Sequence, residues 1–360
     1  MRLGVLTEPE GENRVAIVPN SVKKLVKKGL EVLVQSGAGN MSNYSDSEYE
    51  SAGASVVERE SVLSSELIIS IRMPLISELR SGLNLVCVAD PFRHPEIIKS
   101  CISSNVNLFS MDMIPRRLSR AQSMDVNSSQ DNLAGYKAVL LGASYVPRGI
   151  PMMTTSAGTV KPAKVVIMGS GVAGLQAIAT AKRLGAIVYA SDVRKSAAEQ
   201  IESVGGRFIE VEGMDDFEDE SGYAKPLTPE FIQKVNDTVC EVATEADIIV
   251  TTARIFGRPA PITIPASAVS NFKSGTVIVD MNADVGGNCE LTKHNSEVLH
   301  KSVKIVGPLN LASTVSQDSS RLFSKNVLNF LMNSCESGKF KDFNFNDELV
   351  KDTCIINNLK

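Results

Sequence analysis

The chain has 360 residues, 43% of them hydrophobic and 22% charged, with a formal net charge of −4. That length suits two domains, and that apolar fraction fills two cores. The mild acidity and the lack of a dense basic run exclude nucleic-acid binding by bulk charge.

The six cysteines, Cys87, Cys101, Cys240, Cys289, Cys335 and Cys354, are scattered without a C-x-x-C pair, which predicts free thiols in a reducing compartment. No His/Cys/Asp group has ligand spacing, so no metal site is expected. No apolar run approaches the ~20 residues of a membrane-spanning helix. The expected product is a soluble chain, joined to any membrane only through a partner.

Residues 2–7 read as a buried strand that starts at once, leaving no room for a secretory signal. A loop, Glu8–Asn13, precedes Arg14–Pro19. The spacing of Val22, Leu25 and Val26 predicts a helix over 22–28, with Lys23, Lys24, Lys27 and Lys28 on its wet face and Gly29 as its stop. Glu31–Gln35, Leu67–Ile71, Leu85–Val88 and Val106–Met111 are further short apolar runs. This alternation predicts a first parallel-sheet domain over residues 1–125, without a phosphate-binding glycine pattern of its own. Arg117–Val146 reads as a long helical region with polar residues crowded at its start. Pro147–Pro162, with three prolines and two glycines, reads as an interdomain connection.

The stretch Lys164–Arg194 carries the most chemistry. Val165–Met168 predicts a buried strand, Gly169, Gly171 and Gly174 form G-x-G-x-x-G, and Val172–Leu184 predicts a helix. A second strand, Ala186–Ala190, ends in Ser191-Asp192. Gly169 permits the turn, Gly171 lets a pyrophosphate approach the backbone, and Gly174 allows close helix–strand packing. The helix N-terminus, at Val172 and Ala173, offers N–H groups to phosphates. Asp192 lies about 20 residues on, where a carboxylate accepts the ribose hydroxyls. It favours NAD(H) over NADP(H), although Arg194, two residues on past Val193, is a group that could meet a 2′-phosphate.

Strands are then expected at Arg207–Glu210, Ile248–Thr252, Thr276–Asp280 and Val303–Val306, enough for a six-stranded dinucleotide-binding sheet. Glu212–Pro229 is an acidic insertion holding Gly222-Tyr223-Ala224-Lys225, with the composition of a mobile surface loop. Ser319–Leu331 predicts an amphipathic helix, and the polar end of the chain is expected to fray.

Arg117, Gln122 and Asp125 stand open to two readings. They could form a helix-start ion pair and cap, or they could hold a carboxamide, which needs a donor and an acceptor in one plane.

Several stretches together resemble the soluble NAD(H)-binding domain I of proton-translocating nicotinamide nucleotide transhydrogenase. They are RLSRAQSMDVNSSQDNLAGYKAV over 117–139, the segment Met152–Gly158, GVAGLQAIATAKRLGA within the fingerprint, Gly222–Lys225, TTARIFGRPAP over 251–261 and VDMNADVGGN over 279–288. Glu12–Ala16 is shared with the alanine dehydrogenases. The resemblance implies an α/β fold of two Rossmann-like parallel-sheet domains, the second inserted into the first. The expected boundaries are 1–140 plus 313–345 for the outer domain and 141–312 for the NAD(H) domain, with 346–360 as a flexible tail. It implies that Arg117, Gln122, Asp125 and Ser128 face the nicotinamide and that Tyr223 closes over bound nucleotide. It also implies a homodimer, a membrane-embedded proton-translocating subunit and an NADP(H)-binding subunit as partners, and a cytoplasmic, peripheral position on the membrane's inner face.

Direct hydride transfer between nicotinamide rings needs no acid or base, and none is conspicuous. Alanine dehydrogenase is the alternative enzyme. That family uses an Arg, a Lys, a His and an Asp. Arg14 and Asp284 match two of them, but Met73-Pro74 stands where the Lys segment belongs and Val86–Asp90 lacks the His. A third possibility is a subunit that binds NAD(H) without catalysis of its own.

Overall fold

Apolar runs alternate with helices from the first residue, and each predicted run contains a strand, buried in all but the short edge strand Arg207–Phe208. The computed structural model describes residues 1–214, 228–255, 257–334 and 343–356. The chain divides into Met1–Gln130 with Ala312–Lys360 as one unit, and Asp131–Leu311 as the other.

The first unit begins β1 (Arg2–Val5), α1 (Pro19–Lys27), β2 (Glu31–Gln35), α2 (Asp46–Ser51), β3 (Ser55–Val57), α3 (Arg59–Leu63), β4 (Leu67–Ile69), β5 (Asn84–Cys87), α4 (Pro95–Ser103) and β6 (Asn107–Ser110). In α1, Ser21, Val22 and Leu25 are buried while the lysines face water. Gly29 follows with φ +85°, a conformation in which a Cβ would be strained. Helix α5 (Val126–Tyr145) then leads into the second unit.

The second unit holds β7 (Met153–Thr155), β8 (Gly158–Val160), β9 (Lys164–Met168), α6 (Val172–Arg183), β10 (Ile187–Ser191), α7 (Ala197–Ser203), β11 (Arg207–Phe208), α8 (Pro229–Ala243), β12 (Ile248–Thr251), α9 (Ala266–Val269), β13 (Val277–Asp280), β14 (Ser296–His300) and β15 (Val303–Gly307). Its main sheet runs β11-β10-β9-β12-β13-β15-β14, parallel except for β14. Its parallel strands therefore follow the doubly wound order 3-2-1-4-5-6, in which the direction of winding reverses between β9 and β12.

The chain returns to the first unit with α10 (Ser316–Ser334), α11 (Glu348–Thr353) and β16 (Cys354–Ile356). That sheet runs β16-β6-β5-β4-β1-β2-β3, the same order with an antiparallel strand at one edge. Phe323, Val327, Leu328, Phe330 and Leu331 of α10 share a core with Leu3, Val5, Val15 and Phe109, so the returning helix completes the first unit's interior. β4, β6, β12 and β13 are buried at every residue, which is why they read as continuous apolar runs rather than alternating ones.

Three elements differ from expectation. Where a flexible tail is expected after 345, Glu348–Thr353 form a helix and Cys354–Ile356 a strand. Asp347 caps α11 through the Leu349 N–H at 2.8 Å, Leu349 and Val350 are fully buried, and the Phe343 ring stacks on Phe109 at 4.2 Å. Polar spacers among these few apolar anchors hide the element in the sequence. Pro147–Pro162 contains the hairpin β7–β8. The edge strands β3 and β14 lack fully buried residues and so lack an apolar run to betray them.

Candidate functional site

In the second unit, the chain leaves β9 through Gly169, whose φ is +101°. A Cβ there would meet Thr252 Oγ1 at 2.6 Å, and a Cβ on Gly174 would meet the Gly169 carbonyl oxygen at 2.0 Å. These two glycines are fixed by the protein's own packing. Gly171 is different: its φ is −66°, and a Cβ would meet nothing within 4 Å. The space beside it is open, as a pyrophosphate approaching the backbone requires. Gly171 is also the N-cap of α6 and supplies no side-chain cap. The first N–H groups of that helix are therefore left to water or an anion. Val172 and Val193 are each more than a third exposed on the same loop ends.

Asp192 follows β10. Its Oδ2 accepts the Ser170 N–H at 3.0 Å and the Ser170 hydroxyl at 2.6 Å, while Oδ1 accepts the Arg194 N–H at 3.0 Å and its Nε at 2.9 Å. Burial alone would push this carboxyl up, but the bonds from Arg194 and Ser170 outweigh it and hold it below its ordinary value. It stays an anion, and an acceptor, at neutral pH. Asp192 and Ser170 thus lock the first strand's glycine loop to the second strand's end.

Sequence reasoning missed a second network beyond the ends of β12 and β13. The fully buried Asp280 accepts the N–H groups of Asn282, Asn288 and Cys289 and the hydroxyls of Thr251 and Thr292, at 2.6–3.1 Å. Asn288 donates to the carbonyls of Ala253 and Pro261, and Asn282 to Ala253 and the Asn288 side chain. Together they fix the loops after β12 and β13, the first of which borders the point where the strand order reverses. The signal was VDMNADVGGN itself: a strand ending in Asp, then two Asn separated by glycines.

In the first unit, Asp125 caps α5. Its Oδ1 accepts the Ser128 N–H at 2.9 Å and its Oδ2 the Ser128 hydroxyl at 2.6 Å, and Arg116 Nε lies 3.0 Å from Oδ2. The structure thus joins Asp125 to Ser128 and to Arg116, which sequence reasoning passed over. Arg117 turns to Glu348 and Asp352 of α11, the latter at 2.6 Å. Gln122 is exposed on the 3₁₀ turn Ser119–Met124, between buried Ala121 and Met124. Tyr223 lies outside the described residues.

In the loop between β1 and α1, Glu12 is nearly fully buried. It takes Arg14 Nε and Nη2 at 2.7 and 2.6 Å and Arg72 Nε at 3.1 Å. Arg14 Nη1 donates to Gln130 at 2.7 Å. Arg14 is therefore fully engaged by its own neighbours. Among the described residues no cluster of His, Cys, Asp and Glu could hold a metal ion.

Two largely parallel sheets of doubly wound order, the second with a glycine loop beside its reversal point and an acid ending the next strand, define a dinucleotide-binding protein of the Rossmann class. Family comparison agrees. Residues 4–134 match the "Alanine dehydrogenase/PNT, N-terminal domain" and residues 138–360 the "Alanine dehydrogenase/PNT, C-terminal domain". The chain belongs to this family. It is 42% identical to the first part of the divided NAD(P) transhydrogenase subunit alpha of Rhodospirillum rubrum, over 96% of this chain and 93% of that one. The structure of transhydrogenase from Sinorhizobium meliloti superposes with a TM-score of 0.89 at 40% identity, covering 98% of each chain. Alanine dehydrogenase of Bacillus subtilis is more distant, at 28% over 82% of this chain and 74% of that one. The function class these relatives support is a component of an NAD(P) transhydrogenase, an oxidoreductase that binds nicotinamide dinucleotide.

Proposed function

We propose that the chain is the NAD(H)-binding component of a proton-translocating transhydrogenase, passing hydride between NADH and NADP⁺ held on a partner subunit. The observation that carries this reading is the Asp192–Ser170 pair, an anionic acceptor seated beside the open backbone of Gly171. Asp192 would take the adenosine ribose hydroxyls, and its charge would repel a 2′-phosphate. The α6 N-terminus, from Gly171 through Val172, Ala173 and Gly174, would hold the pyrophosphate, with Val193 and Arg194 at its rim.

When bound, the reduced nicotinamide supplies a hydride. The groups offered to position it are Gln122, Asp125 and Ser128; Arg117, the fourth expected there, is engaged by Glu348 and Asp352. Asp125 and Ser128 are already ordered by their mutual bond, and Gln122 carries both a donor and an acceptor on an anchored turn. No proton moves in the transfer, so these groups have only to orient the ring and exclude water.

The alanine dehydrogenase alternative needs a free cationic clamp for a keto-acid carboxylate. Arg14, the residue in the matching place, is spent on Glu12 and Gln130. This favours the transhydrogenase reading.

The partners we propose are a membrane-embedded proton-translocating subunit and an NADP(H)-binding subunit. The attachment we propose is peripheral, on the cytoplasmic face, through those partners; no helix among the described residues is long and apolar enough to cross a membrane. A homodimer is supported by β7–β8, whose residues are all exposed, Met153 and Val160 among them. An isolated two-stranded hairpin is marginal in water and gains from being covered.

The test mixes the chain, loaded with NADH, with an NADP⁺-binding partner subunit. Rapid NADPH formation is expected. NADH oxidation by the chain alone, driven by pyruvate and ammonia, would overturn the reading.

A further inference from the structure

We infer that the C-terminal segment 343–356 positions the turn that presents Gln122, and that Asp347 is its positioning residue, acting through Arg120. The inference rests on the proposal above that Gln122 addresses the nicotinamide.

The 3₁₀ turn Ser119–Met124 is held on several sides, all within the first unit. Ala121 and Met124 are buried in the core. The Ser123 carbonyl accepts Asn326 Nδ2 at 2.9 Å and Asn329 Nδ2 at 3.1 Å, both from α10. Arg120 meets Asp347 through both guanidinium nitrogens, Nη1 at 2.9 Å to Oδ2 and Nη2 to Oδ1. Just before the turn, Arg117 meets Glu348 and Asp352, four residues apart on one face of α11. Gln122 is thus an exposed residue of a turn that is tied down before and after it.

Stability does not account for these ion pairs. Arg117 and Arg120 are about half exposed, at 57% and 48%, and exposed pairs of this kind contribute little. Nor does the C-terminal segment need them for its own anchoring. Leu349 and Val350 are fully buried, Phe343 stacks on Phe109, and β16 pairs with β6. What the pairs do fix is the backbone that leads into Gln122, while Asn326 and Asn329 hold the Ser123 carbonyl on its other side. Paired two-point contacts from Arg to carboxylate set direction as well as distance. Hydride transfer depends steeply on ring placement, whereas dinucleotide affinity resides in the glycine loop and Asp192. The ion pairs should therefore show in rate and not in affinity.

Asp347→Asn is the informative variant, because asparagine still caps α11 while losing the charge that holds Arg120. With an NADP⁺-binding partner subunit and saturating NADH, single-turnover hydride transfer should fall about tenfold, with NADH affinity unchanged within about twofold and the thermal midpoint unmoved. Asp347→Glu, which keeps the charge, should recover most of the rate. A wild-type rate in Asp347→Asn would overturn the inference. So would a loss of rate matched by an equal loss of NADH affinity and a lower midpoint, since that is simple unfolding of the segment. Wild-type chain that binds NADH yet transfers no hydride would instead overturn the proposed function, and this inference with it.

Discussion

The Ser170 hydroxyl donates to the Asp192 carboxylate at 2.6 Å, so the acid ending one strand is seated on the glycine loop leaving its neighbour. Ribose hydroxyls arriving there would exchange for a bond already in place, with the acceptor preset as an anion. Asp192→Asn should weaken NADH binding by about 1–3 kcal/mol, the range for a lost charge-assisted hydrogen bond. It should also narrow the preference over NADPH, since the repulsion toward a 2′-phosphate disappears. Titration calorimetry with both nucleotides reads both effects. Equal NADH and NADPH affinities in the unaltered chain would remove the argument.

Two glycines of one motif should fail in opposite ways. A Cβ on Gly174 would lie 2.0 Å from the Gly169 carbonyl, so Gly174→Ala should destabilise the fold by about 1–3 kcal/mol through overpacking. A Cβ on Gly171 would meet nothing within 4 Å. Gly171→Ala should therefore leave urea unfolding nearly unchanged while sharply reducing NADH affinity. If Gly171→Ala binds NADH normally, the open space beside Gly171 is not where phosphate lies.

How much of this was legible beforehand follows burial. The runs that became β4, β6, β9, β12 and β13 are buried on both faces, so composition alone announces them. The fingerprint was legible because strand, turn, helix and acid occur in sequence order. Arg116 was not, because its partner Asp125 was already assigned to Arg117, and adjacent arginines differ only in where the backbone aims them. Asp280 was not either, since a buried carboxylate that takes five donors from one strand end and two loop stretches has no sequence period. The C-terminal helix was masked by its polar spacers, although Asp347 in front of Glu348 and Leu349 is a capping signal.

Glu12 carries a prediction about pH. Burial alone would raise its carboxyl, but hydrogen bonding and charge from Arg14, with Arg72 beyond, lower it from 4.5 to about 2. A depressed carboxyl stabilises the fold above its unfolded value, and that stability is lost as pH falls from 4.5 through about 2. The shift corresponds to about 3 kcal/mol. Glu12→Gln should therefore lose about that much at pH 7. At pH 3 the gap between variant and unaltered chain should be markedly smaller. Glu8 has the opposite slope: burial raises it to about 7, so its contribution is lost as pH rises through that value. It is present in both proteins, and since burial is the main cause of its rise and the charge of Glu12 a lesser one, most of its slope cancels in the comparison. A gap equally wide at both pH values would show that Glu12 acts by packing alone.

The hairpin β7–β8 offers a test of the proposed homodimer. Met153 and Val160 are cross-strand partners, exposed by 40% and 38%. Replacing both by Asp changes an exposed face and should cost the isolated unit little. The unaltered chain should sediment as a dimer at micromolar concentration, and Met153→Asp with Val160→Asp as a monomer with an unchanged circular dichroism spectrum. A monomer in the unaltered chain contradicts the homodimer, and a dimer in the variant removes the hairpin from its interface.

The last prediction separates binding from chemistry at Gln122. The residue is exposed on a turn whose neighbours are buried or bonded, so its backbone is fixed while its amide is free to meet a ligand. An amide can donate to one nucleotide and accept from another, which suits a group lying where two nicotinamide rings meet. Gln122→Asn keeps both functions but draws them back by one methylene. Nothing in the core changes, so folding should be unaffected. The glycine loop and Asp192 are untouched, so NADH affinity should fall by no more than about threefold, or about 0.7 kcal/mol. Ring placement would shift, and misplacement on the order of 1 Å can cost about 10²-fold in rate. Stopped-flow transfer from NADH to an NADP⁺ analogue on the partner subunit, beside a titration of NADH alone, measures the two quantities separately. A rate that falls only in step with affinity would make Gln122 an ordinary binding contact. A rate that does not fall at all would take it out of the site.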